Sequence, residues 1–229
     1  MNTKCWILLG ATLFSIILFI VFSLIKKAKI VQNISSILPL PLIFVLNFIF
    51  LKSFIPDSFH TITLSSIALI FISISYIMHV FFNNKAGKVI AGIIFVFSII
   101  FWCLLYKSVF YIYHVPSLIN IIAASAYFIL FLLFFIIFIK QQSFTFYLFT
   151  VLSACIISFL HYSTIIYLCY NPVNFNIIKA VGTTLLLGYF ILSILTNYKF
   201  EIKQHKLICF FLLFTSQVLI AFSNLMVLY

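Results

Sequence analysis

Long apolar runs recur along the whole chain, and short polar segments separate them. The runs are about 20 residues long, which is the length that an α-helix needs to cross the hydrocarbon core of a bilayer. Of the 229 residues, 66% are hydrophobic and only 7% are charged. No soluble domain can hide that much apolar surface behind so few charges. The sequence therefore predicts an integral membrane protein, an all-α bundle that forms one domain over residues 1–229.

Eight apolar runs are separated by turn residues and lysines. Pro39 and Pro41 lie near the start of the second run, where a first helical turn tolerates proline, and Pro116 opens the fifth. The first run is too long for the core of a signal peptide, and lysines follow it at once, so we interpret it as a retained helix. The predicted spans are 6–25, 34–51, 61–82, 89–106, 117–139, 144–169, 177–196 and 207–229.

The 13 basic side chains, all lysines, face only two acids, Asp57 and Glu201, and the formal net charge is +11. The lysines lie between the apolar runs, so we interpret them as topology markers and expect no nucleic-acid partner. Eight spans place both termini on one side of the membrane. Most lysines then fall on the opposite side, which predicts that both termini are non-cytoplasmic. This larger set is Lys26, Lys27, Lys29, Lys85, Lys88, Lys140, Lys199, Lys203 and Lys206. For a bacterial protein of this class, the cytoplasmic (inner) membrane is the expected location.

Polar residues recur at helical spacing inside five of the spans. Such residues are costly in lipid unless they face the interior of the bundle, so their spacing indicates inward faces. They could supply hydrogen bonds between helices without any ligand, or they could line a binding site. The candidate catalytic residues are Tyr76, His79 and His161. The candidate substrate-binding residues are Ser73, Tyr127, Tyr189, Gln217 and Asn224.

Familiar catalytic and metal-binding motifs are missing from the sequence. Neither acid lies in a span, so a carboxylate pair for general acid–base catalysis cannot form inside the membrane. No G-x-S-x-G, H-E-x-x-H or P-loop pattern is present, and no two of the five cysteines have C-x-x-C spacing. We expect no metal site and no cofactor.

Four segments together resemble the YhhN / lysoplasmalogenase family of eight-helix membrane proteins. The second span begins LPLPL, with Leu38 where the family carries a lysine before Pro-Leu. The third and fourth spans follow the order of segments in the family, an apolar run, a short turn and a second helix, and Ala91 and Gly92 match the family's Ala-Gly pair. The sixth span, FTFYLFTVLSACIISFL, is similar to the tyrosine-containing helix of the family. The last span reads LLFTSQVLIAFS, in which Gln217, Leu219 and Ile220 match a Gln-x-Leu-Ile signature.

The chain also departs from the motifs of that family in three of its spans. Ser75 and Tyr76 stand where the family has Gly-Asp, the seventh span has no acid, and the fourth span has no histidine. Such proteins cleave the vinyl-ether bond of lysoplasmalogens, a reaction that needs a proton donor and an activated water. The unperturbed pKa of a tyrosine, about 10, makes Tyr76 a poor replacement for that aspartate.

The resemblance implies a protein that interacts with membrane lipids, a lysophospholipid in particular. One expectation is a non-catalytic relative that binds an amphiphile, and another is a hydrolase with a rearranged site. The alternative from a different class is a small transporter, a sensor or a structural subunit of a membrane complex. A transporter would be expected to show internal repeats and helices broken near the midplane, whereas the prolines here lie near span ends or in loops.

Overall fold

The structure, a computed structural model, describes residues 3–25, 29–82, 84–106, 115–138, 144–197 and 204–224. Within these ranges the chain forms nine α-helices and no β-strand. In chain order they are α1 (Thr3–Ile25), α2 (Lys29–Ile37), α3 (Pro39–Phe54), α4 (Phe59–Phe81), α5 (Lys85–Leu105), α6 (Ser117–Phe138), α7 (Phe144–Tyr170), α8 (Asn174–Asn197) and α9 (His205–Ser223).

Seven helical segments in the described part of the chain are long and apolar enough to cross a membrane. They are α1, the combined segment of α2 and α3, α4, α5, α7, α8 and α9, while α6 contributes a shorter apolar stretch, Ser117–Leu132. Large apolar side chains on their outer faces stay exposed, as Leu13, Phe14 and Ile17 do on α1. Such surfaces suit contact with lipid rather than water. The protein is thus an all-helical, multi-pass integral membrane protein, as the sequence predicts, and the count of eight spans stays a prediction.

Helices α2 and α3 follow each other through a single residue, Leu38. Leu38 keeps helical dihedral angles of φ −56° and ψ −38°. Pro39 follows at the start of α3, and Pro41 lies two residues further on. A proline has no N–H to donate and its ring crowds the preceding turn, which accounts for the interruption between the two helices.

A tight turn joins α4 to α5. The side chain of Asn84 caps α5 by accepting a hydrogen bond from the backbone N–H of Gly87, at 2.8 Å. A Cβ at Gly87 would lie 2.4 Å from the Cβ of Phe82, so a larger residue would force the turn apart. The cap and the glycine together bring the end of α4 and the start of α5 to the same end of the bundle.

The core lies where α4, α5, α8 and α9 meet. The closest packing is between α4 and α5 and between α8 and α9. The second pair depends on Gly182, where an added Cβ would lie 2.9 Å from Ile220 Cγ1 and 3.1 Å from its backbone nitrogen. Small residues at such crossings let helix backbones approach closely in lipid, where burial of apolar surface gives little drive to associate. Trp102, Leu186 and Ile220 are fully buried there.

Side-chain hydrogen bonds also tie neighbouring helices together. Ser75 and Ser98 donate across the α4–α5 interface to the carbonyl oxygens of Ala91 and Ala68, at 2.7 and 2.8 Å. Asn47 of α3 donates to Ser65 of α4 at 3.2 Å. Part of the polarity of the spans therefore serves helix packing, which is the ligand-free alternative raised by the sequence.

Candidate functional site

The structure does not bring the eight candidate side chains together. Three of them, Tyr76, His79 and Tyr189, line a polar cavity. Two others, Tyr127 and His161, form part of a hydrogen-bonded chain between helices. The last three, Ser73, Gln217 and Asn224, make hydrogen bonds within the packed interior.

The polar cavity has a volume of about 380 Å³ and lies at one end of the bundle. Its walls are formed by the ends of α1, α4 and α8 and by the starts of α2, α5 and α9. This is the end of the bundle to which the sequence assigns most of the lysines. Its lining residues are Phe19, Gln32, Asn33, Ser36, Tyr76, His79, Val80, Lys88, Tyr189, Ser193, Thr196, His205, Lys206 and Cys209.

The electrostatic character of this cavity is positive. Lys88 lies in the first turn of α5 and Lys206 in the first turn of α9, and both line the cavity with His79 and His205. No carboxylate lies among its described lining residues. The unpaired N–H groups of a helix start carry a partial positive charge, so lysines there add charge where it is already unfavourable. An anion in the cavity would relieve this repulsion.

Two tyrosines lie deeper in the cavity than the lysines. Tyr76 is 9% exposed, packs its ring against Phe210, and shares the cavity wall with Ser36. Tyr189 packs its ring against Phe95, at 5.9 Å between centroids. The cavity thus changes from basic at the helix starts to phenolic and aromatic further in, which suits a ligand with one charged and one apolar end.

A second, smaller cavity of about 120 Å³ adjoins the first. Both cavities are lined by His79, Lys88, Tyr189 and Ser193. His79 is exposed although it belongs to a membrane-spanning helix, because its ring borders both spaces. Most other side chains around the smaller cavity are apolar: Val89, Ala91, Phe95, Phe190 and Ile194.

A hydrogen-bonded chain links α6, α7 and α8 through Tyr127, His161 and Thr184. Thr184 Oγ1 donates to the carbonyl oxygen of Ala180 at 2.8 Å, so its oxygen accepts from His161 Nε2 at 3.0 Å. His161 Nδ1 is then free to accept the hydrogen bond that the Tyr127 hydroxyl donates. Both ring nitrogens of a neutral His161 are therefore satisfied within the protein, and Tyr127 keeps an oxygen lone pair for another partner.

The remaining three candidates have structural partners. Gln217 is fully buried, and its Oε1 accepts from the indole Nε1 of Trp102 at 3.1 Å. Asn224 Nδ2 donates to the carbonyl oxygen of Ile220 at 3.4 Å. Ser73 donates to the carbonyl oxygen of Leu69, one turn earlier in its own helix, at 2.7 Å. The contact between Trp102 and Gln217 joins α5 to α9, whereas the other two are made within one helix or at its end.

Sequence reasoning missed the basic side chains of the polar cavity. Lys88 and Lys206 were interpreted only as topology markers, and His205 and Gln32 were not considered. The sequence does contain a signal that could have indicated this cavity. Lysines near the starts of apolar helices oppose the helix dipole, and such an arrangement indicates an anion nearby. The sequence predicts Lys179 too as a topology marker, on the side of the termini, yet it is only 6% exposed and its Nζ lies 4.2 Å from the ring centroid of Tyr106.

Comparison of the chain with protein-family models, with curated proteins and with solved structures gives no match. Its function is therefore argued from the geometry and chemistry of its own residues.

Proposed function

We propose that this protein binds an anionic amphiphile with a single chain, and that the phosphate of the amphiphile occupies the polar cavity. The observation that carries the proposal is the convergence of Lys88, Lys206, His79 and His205 on one cavity. The resemblance to the YhhN / lysoplasmalogenase family suggests a lysophospholipid as the ligand.

The charge arrangement supports an anion rather than a neutral head group. A phosphate accepts several hydrogen bonds at once, and lysine ammonium groups and helix starts are its common partners in proteins. Three helices start at this cavity, α2, α5 and α9, and the first-turn lysines of two of them, Lys88 of α5 and Lys206 of α9, line it. Each charge-assisted hydrogen bond contributes about 1.5–3 kcal/mol, so two lysines are enough to decide which head group binds.

The shapes of the two cavities support a ligand with one chain. The polar cavity, at about 380 Å³, lies within the range of roughly 300–1,000 Å³ found for small-molecule sites. The adjoining space, at about 120 Å³, accepts only the first part of an alkyl chain. We infer that the rest of the chain leaves the protein and lies in the bilayer.

The proposal includes a membrane topology. We propose eight spans with both termini on the non-cytoplasmic side, which places the polar cavity at the cytoplasmic face. For a bacterial protein the host membrane is then the cytoplasmic membrane. The bias of the lysines supports this orientation, since positive charge near span ends is retained on the cytoplasmic side.

Binding is favoured over hydrolysis because no carboxylic acid lies among the described residues that line the polar cavity. Vinyl-ether cleavage needs a proton donor at the enol-ether carbon, and the chain has only two carboxylic acids. Asp57 is exposed in the turn between α3 and α4, at the opposite end of the bundle from the polar cavity. Glu201 precedes α9 and lies outside the described residues.

Equilibrium binding to the purified protein in lipid nanodiscs tests the choice of ligand. We expect lysophosphatidylglycerol to bind at least about 10-fold more tightly than the monoacylglycerol with the same chain. The double variant Lys88→Gln/Lys206→Gln should lose this preference. Lys52→Gln is the matched control, because Lys52 is exposed on α3 at the opposite end. Equal affinity for the two lipids, or a preference that survives the double variant, would contradict the proposal.

Incubation with a 1-alkenyl lysophospholipid tests the choice between binding and hydrolysis. We expect the lipid to bind and no fatty aldehyde to be released. Aldehyde release that Tyr76→Phe or His79→Ala abolishes would replace the binding proposal by a hydrolase with a rearranged site. The same assay on Glu201→Gln would show whether Glu201 supplies the acid in that case.

A further inference from the structure

A groove lies between α6 and α7, apart from the polar cavity. Its volume is about 1000 Å³, and apolar or aromatic side chains form most of its wall. Helix α6 packs only lightly against α7, and many of its apolar side chains are exposed, so the space between the two helices stays open. The groove is lined by Val115, Ser117, Asn120, Ala124, Tyr127, Phe128, Phe131, Leu132, Val151, Ala154, Cys155, Ser158, Phe159 and Tyr162.

Two polar pairs in this groove are satisfied within the protein. The Tyr162 hydroxyl donates to Asn120 Oδ1 at 2.5 Å. The Tyr127 hydroxyl donates to His161. Both pairs bridge α6 and α7 and hold the two helices at the spacing that leaves the groove between them.

Ser158 is different, because its buried oxygen has no partner. The residue is 6% exposed and lines the groove, yet its Oγ makes no hydrogen bond. Serine hydroxyls inside helices usually bond to a carbonyl of the preceding turn, as Ser163 does to Leu160 at 2.8 Å. A buried hydroxyl without a partner has lost its hydrogen bonds to water and gained none in return. Ser158 thus lines the groove with a hydroxyl that no described residue uses.

The depth of Ser158 restricts what could satisfy it. At 1.5 Å per residue, Ser158 lies about 18 Å along α7 from Tyr170 and about 12 Å from Thr150, the two ends of this apolar segment. The hydrocarbon core is roughly 30 Å thick, so the hydroxyl lies in its middle part. The phosphate and ester groups of a phospholipid stay near the interface and do not reach this level.

We propose that the groove binds an apolar, membrane-soluble molecule that carries one hydrogen-bond-accepting carbonyl oxygen, with Ser158 as the donor. The apolar wall accepts the hydrocarbon part of the molecule, and the carbonyl satisfies the one buried groove oxygen that has no partner among the described residues. This site is independent of the proposed amphiphile site, since α7 contributes different side chains, Thr150 and Ser153, to the smaller cavity on its other side.

Photolabelling in nanodiscs tests this assignment. The probe is a long-chain dialkyl ketone with a diazirine beside its carbonyl, and peptide mass spectrometry locates the label. Competition uses the unlabelled ketone and the alkane of the same length. We expect saturable labelling of 151–162 on α7, with the ketone competing about fivefold better than the alkane, as one net hydrogen bond predicts.

Two serine variants on the same helix complete the experiment. Ser158→Ala should make the ketone and the alkane compete equally. Ser163→Ala should leave the difference unchanged, because Ser163 already bonds within the protein and is absent from the groove wall. Three results would overturn the proposal: no saturable label in the groove, equal competition by ketone and alkane in the parent protein, or a ketone preference that survives Ser158→Ala.

Discussion

Lys179 provides a direct test of how this bundle stabilises a buried charge by contact with aromatic rings. Its ammonium lies 4.2 Å from the ring centroid of Tyr106, 5.7 Å from that of Phe175 and 5.9 Å from that of Tyr167. A cation over an aromatic face gains about 0.5–1 kcal/mol when exposed and about 2 kcal/mol or more when desolvated. Because Lys179 is 6% exposed and one ring is close, we expect a coupling of about 1–2 kcal/mol between Lys179 and the ring of Tyr106.

A double-mutant cycle isolates this coupling from other effects. Tyr106→Leu alone removes a buried ring and leaves a cavity, at a cost below the value of about 3–5 kcal/mol found when Phe or Trp is replaced by Ala. Lys179→Met keeps an unbranched side chain and removes a buried charge, so its own effect should be small, because lost cation–π attraction offsets relieved desolvation. The double variant should then be about 1–2 kcal/mol more stable than the sum of the single effects predicts.

The assay is unfolding in mixed micelles by titration with sodium dodecyl sulfate, followed by far-UV circular dichroism. Tyr106→Phe is the control, since it keeps the ring and removes only the hydroxyl that donates to Ile220 O at 3.1 Å. Its cycle with Lys179→Met should show nearly the full ring coupling retained. A coupling below about 0.5 kcal/mol in the leucine cycle, the usual limit of additivity, would refute the cation–π account.

Three further predictions concern packing and topology. Gly182→Ala should destabilise the protein by about 1–3 kcal/mol through the clash with α9, whereas Gly188→Ala, which meets no atom within 4 Å, should have little effect in the same titration. Trp102→Phe should cost about 1–3 kcal/mol because it leaves the buried Gln217 Oε1 without its donor, and adding Gln217→Met should recover part of this loss. Epitope tags at both termini should be digested by protease added to spheroplasts, and protection of either tag would contradict the proposed eight-span topology.

The helices were predictable from the sequence because length and apolarity alone define a membrane segment. A helix overlaps each predicted span in the described part of the chain, and the second span is interrupted at Leu38, just before Pro39 and Pro41. The structure extends some helices beyond their apolar runs, as at Lys85, where α5 begins. A hydropathy pattern does not show such extensions, because cap residues such as Asn84, rather than hydrophobicity, fix where a helix starts.

The site was less predictable, because helical spacing shows which residues share a face but not which faces meet. Tyr76, His79 and Tyr189 do line one space, whereas Tyr127 and His161 lie elsewhere because α6 packs lightly against α7. The role of each lysine is also difficult to predict from the sequence. A lysine near the end of a span is consistent with a topology marker, a cavity wall or a buried cation, and only the packing around it separates these roles.

The proposed amphiphile site also has a consequence for biosynthesis. Its walls come from α1 and α2, from α4, α5 and α8, and from α9, the last of the described helices. A nascent chain that has inserted the described helices up to α8 but not α9 would have Lys88 in place but would lack Lys206 and an entire wall. Occupancy of the cavity would therefore distinguish a chain that has inserted α9 from shorter intermediates, and the proposed amphiphile would stabilise only the former.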